Sequence, residues 1–283
     1  MSADESGARR LQVLRWRAGQ AQQAEDWVAE EVAVALQYNG VSHAVMLATP
    51  ADLEDFALGF SLSEGIVDQP EQVYDCEAVR QPLGIELQLQ VATRCFEALR
   101  QRRRNLAGRT GCGLCGTDSL EQALRPLRRL PERTGWMVGS SAVAASLRQL
   151  RALQRLNRIT GAVHAAAWCS PDGQVRLLRE DVGRHNALDK VIGALARGAL
   201  DASQGYLLVT SRASVEMVQK ATQAGVPLLV AVSAPTALAV RVAREASMSL
   251  VGLARDDDLV IYSGPQRIAL EASANPSISL VTS

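Results

Sequence analysis

The amino-acid sequence predicts an α/β protein. Its N-terminal part is predicted to be strand-rich and of the α+β class. From residue 185 onward, short continuous apolar runs alternate with segments of helical periodicity, which is typical of strand–helix–strand units around a mostly parallel sheet. Before that point, apolar and polar residues alternate around turn dipeptides, which is typical of antiparallel hairpins. The chain is 47% hydrophobic and 21% charged, a balance that supports a sizeable core.

The strand-rich part is predicted to contain two hairpins and two helices. The first hairpin turns at Asn39-Gly40, a dipeptide that favours a tight two-residue turn. An amphipathic helix follows from Pro50 and ends at Gly65, and a second strand pair covers residues 72–92. A helix from about Arg94 then leads into the sequence RTGCGLCG. We expect residues 1–10 to form a mobile tail.

The later part begins with two helices and a hairpin. Asp118, with Glu121 three residues on, has the pattern of a helix cap. One long helix is predicted from residue 140 to Gly161, before a strand, a Pro-Asp-Gly turn and a strand. Helices and buried strands then alternate. The resulting organisation is a disordered tail (1–10), a strand-rich N-terminal subdomain (11–108), a flexible Cys-x-x-Cys loop (109–117) and a C-terminal α/β domain (118–283).

Composition excludes several classes of protein. The formal net charge is zero, so the whole molecule is not a basic nucleic-acid binder. Five cysteines, an odd number, argue against a secreted disulfide framework. The first ten residues contain no apolar signal segment, and the most apolar stretch, from Gly225, is interrupted by Pro227 and Pro235. We therefore expect a cytoplasmic protein that binds neither nucleic acid nor membrane.

Cys112 and Cys115 are the residues of greatest chemical interest. A structural zinc site needs four ligands, and the remaining cysteines and histidines show no ligand spacing, although one distant histidine could complete a site. A thioredoxin-like dithiol starts a helix directly after a strand, whereas this pair follows a basic helix and a glycine-rich stretch. A tight turn of small residues is the structural alternative.

A nucleophile that carries a group is the remaining interpretation of the pair. The thiolate is the reactive form, and its pKa would be lowered by the start of the helix near Asp118 and by arginines just upstream. The flanking glycines would give the thiol reach. The same arginines could equally form a solvated helix face. They are Arg100, Arg102, Arg103, Arg104 and Arg109.

Several long motifs occur in one order along the chain: RTGCGLCG, GAVHAAAW, EDVGRHNALDKVIG, TSRASVEMVQKATQAGVPLL and VSAPTALAVRVARE. From about residue 30 to residue 268, the sequence resembles the FdhD/NarQ family of formate dehydrogenase accessory sulfurtransferases. The resemblance implies a cytidine deaminase-like α/β/α fold for the C-terminal domain. The zinc deaminase signature is missing, because Ala166 stands where a glutamate would follow His164. No metal site is therefore expected, and the fold does not bring deaminase chemistry with it.

The resemblance also implies a function. Members of the family take persulfide sulfur from a cysteine desulfurase and transfer it to the molybdenum (or tungsten) bis(molybdopterin guanine dinucleotide) cofactor that formate dehydrogenase needs. By matching motif, Cys112 takes the position of the persulfide-bearing cysteine and Cys115 that of its partner. A homodimer is implied as well. A dithiol oxidoreductase and a cofactor-binding chaperone without sulfur transfer are the alternatives.

An anionic dinucleotide is expected to bind where parallel strands end and helices begin. Two predicted strand ends carry hydroxyl groups or a guanidinium: Ser211, Arg212 and Ser214 follow one strand, and Ser233 and Thr236 follow the next. A third strand end matches, by resemblance, the cofactor-binding stretch of the family, although three aspartates can also form a solvated turn. This stretch consists of Leu253, Ala254, Arg255, Asp256, Asp257 and Asp258.

Further polar residues cluster around the start of the helix after residue 183. The functional interpretation is that they line the site, with His164 at the start of a strand nearby. The structural alternatives are that Asp181 caps the helix, that His185 and Asp189 form a surface pair, and that Glu216 and Lys220 pair along one helix. The cluster comprises Asp181, Arg184, His185, Asn186, Asp189 and Lys190.

Overall fold

The computed structural model describes residues 7–107, 128–131 and 136–271 of the chain. Its first part contains six strands and two helices. They are β1 (Ala8–Arg17), β2 (Gln20–Ala29), β3 (Val32–Tyr38), β4 (Val41–Ala48), α1 (Leu53–Ser63), β5 (Val73–Gln81), β6 (Gly84–Val91) and α2 (Thr93–Ala107).

Strands β3 to β6 form a four-stranded sheet in the order β4-β3-β6-β5. The two predicted hairpins are confirmed as the antiparallel pairs β3–β4 and β5–β6, and β3 runs parallel to β6 at the centre. Asn39 and Gly40 both have positive φ angles, as the tight turn requires. One face of the sheet packs against α1 and α2, with Phe56, Leu87 and Leu99 among the buried side chains of this core.

Strands β1 and β2 form a separate antiparallel hairpin that the sequence analysis did not assign. The tail predicted for residues 1–10 is wrong at its end, because β1 begins at Ala8. Gly7 and Ala8 are buried, and the carbonyl oxygen of Gly7 accepts a hydrogen bond from the Glu30 backbone. These strands contain many glutamines and arginines and show little apolar alternation, so hydrophobic periodicity does not indicate them.

In its described residues, the second part contains a six-stranded sheet, five α-helices and a separate short parallel pair. The elements of this part are β7 (Val138–Gly139), α3 (Ser140–Leu153), α4 (Arg155–Thr160), β8 (His164–Cys169), β9 (Val175–Asp181), α5 (Arg184–Arg197), β10 (Tyr206–Val209), α6 (Val215–Gln223), β11 (Leu228–Ala231), α7 (Ala237–Glu245), β12 (Ser249–Arg255), β13 (Asp258–Ser263) and β14 (Ile268–Ala269). The short pair is β7 with β14.

The order of the large sheet is β13-β12-β11-β10-β8-β9. Only the β10–β11 and β11–β12 pairs are parallel, while the β8–β10, β8–β9 and β12–β13 pairs are antiparallel. The expectation of a mostly parallel sheet is therefore corrected to a mixed sheet. Strands β8 and β9 are joined by the Pro-Asp-Gly turn, and such a short connection can only produce an antiparallel pair.

Both faces of the large sheet are covered, which gives a three-layer arrangement. Helices α5, α6 and α7 bury one face, with Leu188, Met217 and Leu229 in the shared core. Helix α3 packs on the other face, where Leu147, Leu208 and Val230 meet. The alternation of helices and buried strands expected after residue 185 is confirmed.

The long helix predicted from residue 140 to Gly161 is wrong, because the chain breaks at Gln154. Gln154 has φ −69° and ψ 89°, outside the helical region, and separates α3 from α4. The Glu180 carboxylate of β9 accepts hydrogen bonds from the backbone of Leu156 and Asn157 at 2.9 Å, and so satisfies the free N–H groups that begin α4. A distant carboxylate thus decides a break that local periodicity does not show.

The two parts of the chain meet where α1 crosses α5. A Cβ atom on Gly59 would lie 1.7 Å from the carbonyl oxygen of Asp189, and one on Gly193 would lie 1.9 Å from that of Asp55. The two backbones therefore approach as closely as glycines allow. The Asp55 carboxylate also accepts hydrogen bonds from Arg179 and Arg197, which ties α1 to β9 and α5.

Candidate functional site at the carboxyl edge of the central sheet

Of the residues predicted to form the site, Cys112 and Cys115 lie outside the described residues, as does the predicted cap at Asp118. The structure describes α2 up to Ala107 on one side of them and residues 128–131 on the other. The described part of the predicted site is the edge of the large sheet at which β10, β11 and β12 end.

The loops after β10 and β11 lie side by side at this edge. The backbone N–H of Thr236 donates to the carbonyl of Ala213 at 3.1 Å, and Ala213 pairs with Pro235 in a parallel bridge. Ser214 begins α6, and Thr236 begins α7, where its hydroxyl accepts the N–H of Ala239 at 3.2 Å. Two helix N-termini, each the positive end of a helix dipole, therefore open at the same place.

The structure separates the roles available to Ser211 and Arg212. Ser211 is buried, and its hydroxyl donates to the carbonyl oxygen of Arg212 at 3.1 Å. The Arg212 side chain is exposed. Ser211 therefore shapes the loop, whereas Arg212 is available to an anionic ligand.

The third predicted stretch, Leu253–Asp258, comprises the end of β12, the turn that follows it and the first residue of β13. Leu253 has a positive φ of 52° at a break in strand register, and its N–H donates to the carbonyl of Ser233. Ala254 is fully buried and Arg255 is exposed. Asp256 pairs with Arg151 of α3 at 2.9 Å, and Asp257 lies 3.7 Å from Arg148 on the same helix. Asp258 begins β13 opposite Arg255.

His164 and the start of α5 reach the same edge because β8 runs antiparallel to β10. The Thr210 hydroxyl at the end of β10 accepts the N–H of Ala165, next to His164. Burial and the charge of Arg184 lower the pKa of His164. Burial, followed by Arg184 and Lys220, lowers the pKa of His185 to about 4. Both imidazoles are therefore neutral at pH 7.

Behind His185 lies a buried cluster that the sequence analysis did not assemble. The Lys220 ammonium is 2.9 Å from carboxylate oxygens of both Asp189 and Glu64 and from the Ser63 hydroxyl. Ser63 also donates to Asp189 at 2.6 Å. Burial alone would lower the pKa of Lys220, but Asp189 and Glu64 outweigh burial and raise it. The lysine therefore stays charged between two carboxylates.

These contacts correct two of the structural alternatives. Lys220 does not pair with Glu216 along α6, and Asp189 is buried against α1 and α6 instead of forming a surface pair with His185. Local spacing favoured both pairs, but the packing of three helices decided the partners. Ser63 and Glu64 carried no signal in the sequence, since their role arises only where α1 meets α5 and α6.

Asp181 also has a different role from the predicted helix cap. Gly183 precedes α5 without a side-chain cap, and Asp181 instead pairs with Lys190 at 2.6 Å. Its carboxylate accepts further hydrogen bonds from the backbone of Thr49 and Gly183 and from the Asn186 amide. Both charged side chains are fully buried, so this pair fastens the end of β4 to α5.

A protein-family model matches most of the chain. The model of the FdhD/NarQ family matches residues 29–269. The chain belongs to the FdhD/NarQ family. It is 57% identical over 258 residues to "Sulfur carrier protein FdhD" of Variovorax paradoxus (strain S110), covering 91% of this chain and 92% of that one. It is 58% identical over 261 residues to the protein of the same name from Cupriavidus necator, covering 92% and 90%.

The fold is similar to that of a crystal structure described as a candidate formate dehydrogenase accessory protein from Desulfotalea psychrophila. The TM-score is 0.72 at 21% identity, over 93% of this chain and 100% of that chain. The FdhD/NarQ match includes Cys112, Cys115 and the whole carboxyl edge, whereas β1 and all but the last residue of β2 precede it.

Two further features of this FdhD/NarQ chain concern the described residues alone. They contain no helix that is long and apolar enough to cross a membrane. They also contain no group of three histidine, cysteine, aspartate or glutamate side chains arranged to hold a metal ion.

Proposed function

We propose that this protein is a sulfur carrier for the maturation of formate dehydrogenase, with Cys112 as the thiol that bears the persulfide. The observation that carries the proposal is similarity to proteins named sulfur carrier protein FdhD, at 57% and 58% identity over nine-tenths of the chain. The sulfurtransferase activity, a cytoplasmic location and a cytidine deaminase-like C-terminal fold are parts of the same proposal.

The other thiols of the chain are poorly suited to the role, which supports the assignment to the cysteine pair. Burial raises the pKa of Cys76 to about 11 and that of Cys169 to about 12. Cys95, a residue of α2, is buried in the core between this helix and the four-stranded sheet. Thiolates at these positions are scarce at neutral pH or enclosed, and the thiolate is the form that attacks a persulfide.

Loading is a thiol exchange in which no net oxidation occurs. The Cys112 thiolate attacks the outer sulfur of the persulfide on a cysteine desulfurase, forms a new S–S bond, and releases the desulfurase thiolate. For delivery, the Cys115 thiolate attacks the inner sulfur of the Cys112 persulfide. This step forms a Cys112–Cys115 disulfide and releases the outer sulfur as hydrosulfide to the molybdenum of the bis(molybdopterin guanine dinucleotide) substrate. A cellular thiol reductant then restores both thiols.

The carboxyl edge of the large sheet is proposed to hold the guanine dinucleotide parts of this substrate. Arg212 and the N-termini of α6 and α7 supply positive potential for the phosphates. The neutral His164 and His185 can exchange hydrogen bonds with an uncharged base. The Leu253–Asp258 stretch would contribute exposed Arg255 and backbone groups, because Asp256 and Asp257 already pair with arginines of α3. Two copies of the chain would form the functional homodimer.

Intact mass spectrometry after incubation with a cysteine desulfurase and L-cysteine tests the proposal. We expect the wild type to gain the mass of one sulfur atom, and Cys112→Ala to gain none. Cys76→Ala is the matched control and should load like the wild type. Loss of two hydrogens without added sulfur would indicate a dithiol oxidoreductase. A Cys112→Ala variant that still activates formate dehydrogenase would favour a cofactor-binding chaperone instead.

A further inference from the structure

The hairpin of β1 and β2 extends from the rest of the chain and is called the arm below. Its base is held, because Ala8 is buried and the carbonyl oxygen of Gly7 accepts the Glu30 N–H at 2.9 Å. Beyond the base, every residue of β1 except Val13 is exposed. Each strand has ten residues and is therefore about 33 Å long. A two-stranded ribbon is at best marginally stable in water by itself, so an arm of this length needs a surface to cover it.

Leu14 and Trp16 form an apolar surface on one side of the arm, which is called the arm face below. They are two residues apart on β1, so both side chains point to the same side of the ribbon, and uncharged residues of β2 stand opposite them. Leu14 is 72% exposed and Trp16 is 71% exposed. The neighbouring charges lie on the other side, where Arg15 is 3.4 Å from Asp26. The arm face is therefore a single apolar surface without charged groups among its members.

A second apolar surface lies on the four-stranded sheet, on the side away from α1 and α2. Val45 and Leu47 of β4 are 62% and 58% exposed there, while Met46 between them packs toward the core with α1 and α2. They stand opposite Ala35 and Ala33 of β3, whose small side chains leave a shallow trough beside them. This surface is called the sheet face below and consists of Ala33, Ala35, Val45 and Leu47.

The arm face and the sheet face do not cover each other within one chain, since both are exposed. The sheet face lies beside the base of the arm, because β3 begins at Val32 directly after β2 ends at Ala29. Leu14 is six residues along β1 from Ala8, a distance of about 20 Å. An arm held at its base therefore carries its arm face away from its own sheet face, where a second molecule can receive it.

The chemistry and the size of the two surfaces fit a second copy of this chain. Trp16 can fill the trough over Ala33 and Ala35, and Glu86 of β6, opposite Ala35, offers an acceptor to the indole N–H. A ribbon about 33 Å long and about 10 Å wide covers about 330 Å² on each side of a contact, so two reciprocal contacts bury about 1,300 Å², the size of a stable interface. Two such contacts related by a two-fold axis close the assembly at a dimer.

We propose that each copy of the chain packs its arm face on the sheet face of a second copy. The inference rests on the homodimer of the proposed function and adds the two surfaces that form it. The carbonyl oxygen of Leu47 accepts the Asn186 amide at 2.8 Å, and Asn186 is in the first turn of α5. The arm of one copy therefore lies beside the carboxyl edge of the other, where the substrate is proposed to bind.

Sedimentation equilibrium of the full chain tests the proposal through the dissociation constant of the dimer. Leu14→Gln/Trp16→Gln alters the arm face, and Val45→Gln/Leu47→Gln alters the sheet face. We expect each variant to raise the dissociation constant about a hundredfold, because both reciprocal contacts lose their apolar anchors. In an equimolar mixture of the two variants, a heterodimer keeps one unaltered contact. With one variant fluorescently labelled, this heterodimer should form at lower concentration than either variant's own dimer.

Tyr74→Gln/Leu83→Gln is the matched control, since it also removes one aromatic and one leucine side chain that are highly exposed. It should leave the dissociation constant unchanged, and circular dichroism should show that all variants are folded.

An unchanged dissociation constant in the arm variant or in the sheet variant overturns the proposal, as does a mixture in which no heterodimer forms. An arm variant that stays dimeric but no longer binds vesicles of phosphatidylcholine and phosphatidylserine would assign the arm to a membrane surface instead. A monomeric wild type also overturns the proposal. The sulfur-carrier function is judged separately, by persulfide loading of Cys112 in the same preparation.

Discussion

The only two lysines of the chain, Lys190 and Lys220, are both buried and both paired with an aspartate, yet they are in different electrostatic surroundings. Lys190 and Asp181 form a balanced pair with no exposed side-chain surface. Lys220 lies between Asp189 and Glu64, and the Glu64 side chain keeps 21% of its surface exposed. One site has equal charges and is closed, whereas the other has an excess carboxylate and is open on one side.

The difference between the two sites follows from where each lies. Asp181 receives backbone N–H groups from Thr49 and Gly183 in addition to Lys190, so every charge there has a fixed partner. Such a site joins the strand-rich part to α5. The Lys220 cluster lies next to His185 at the edge where the substrate is proposed to bind. Burial raises the pKa of Asp189, against the pull of Lys220, so this carboxylate takes up a proton more readily than an exposed aspartate does.

Removing the balanced pair's lysine is expected to have the largest effect. Lys190→Met leaves the Asp181 charge buried and the carbonyl oxygen of Thr49 without its donor, so the free energy of unfolding should fall by about 3–5 kcal/mol. Urea denaturation followed by circular dichroism measures it. The double variant Asp181→Asn/Lys190→Met removes the uncompensated charge and should recover part of the loss. A loss below about 1 kcal/mol in the single variant would show that the pair does not fasten the two parts.

Removing the other lysine is expected to cost less. Lys220→Met should lower the free energy of unfolding by about 2 kcal/mol, because Asp189 can accept a proton and keep its hydrogen bond with Ser63. The difference in unfolding free energy between this variant and the wild type should shrink as pH falls from 8 to 5, because protonation of the buried Asp189 becomes more favourable. Lys190→Met, measured in parallel, is the comparison. An equal loss of unfolding free energy at pH 8 and pH 5 would show that Asp189 does not take up a proton in the variant.

The smallest expected effect concerns His185. Its pKa is lowered to about 4 in the folded chain, so the unfolded chain binds a proton first as pH falls. Stability is then lost on acidification from the ordinary histidine pKa toward pH 4, by about 1 kcal/mol between pH 7 and pH 5.5. His185→Gln should reduce this pH dependence of the unfolding free energy. At pH 8 the variant reports only the packing contribution of the side chain. A pH profile equal to that of the wild type would show that His185 does not have a lowered pKa in the folded chain.

Much of the local architecture followed from sequence patterns. Asn39-Gly40 and the alternation around it predicted β3 and β4, and the apolar runs after residue 185 predicted β10, β11 and β12. The hairpin of β1 and β2 was missed because its strands are exposed on both faces and show little apolar alternation. The break at Gln154 was missed because the Glu180 carboxylate that permits it is 26 residues away in sequence.

The predicted site divides in the same way. Local sequence identified Cys112 and Cys115 as the chemically interesting pair, and it located Arg212 and the starts of α6 and α7 at strand ends. Sequence spacing suggested wrong partners for Asp189 and Lys220, because residues four apart on one helix are always plausible neighbours. It also suggested a helix cap for Asp181, which instead pairs with Lys190. Charged side chains that are buried take the partner that removes the most desolvation cost, and that partner comes from another element.

By itself, the sequence determined which residue types stand where, the periods that form helices and strands, and the concentration of arginines around the cysteines. The tertiary structure alone decided that three neighbouring strand pairs of the large sheet are antiparallel and that α1 crosses α5 through Gly59 and Gly193. It also decided that both lysines are buried. The physical reason is that backbone period is a local property, whereas close packing and the desolvation of charge depend on segments brought together only by folding.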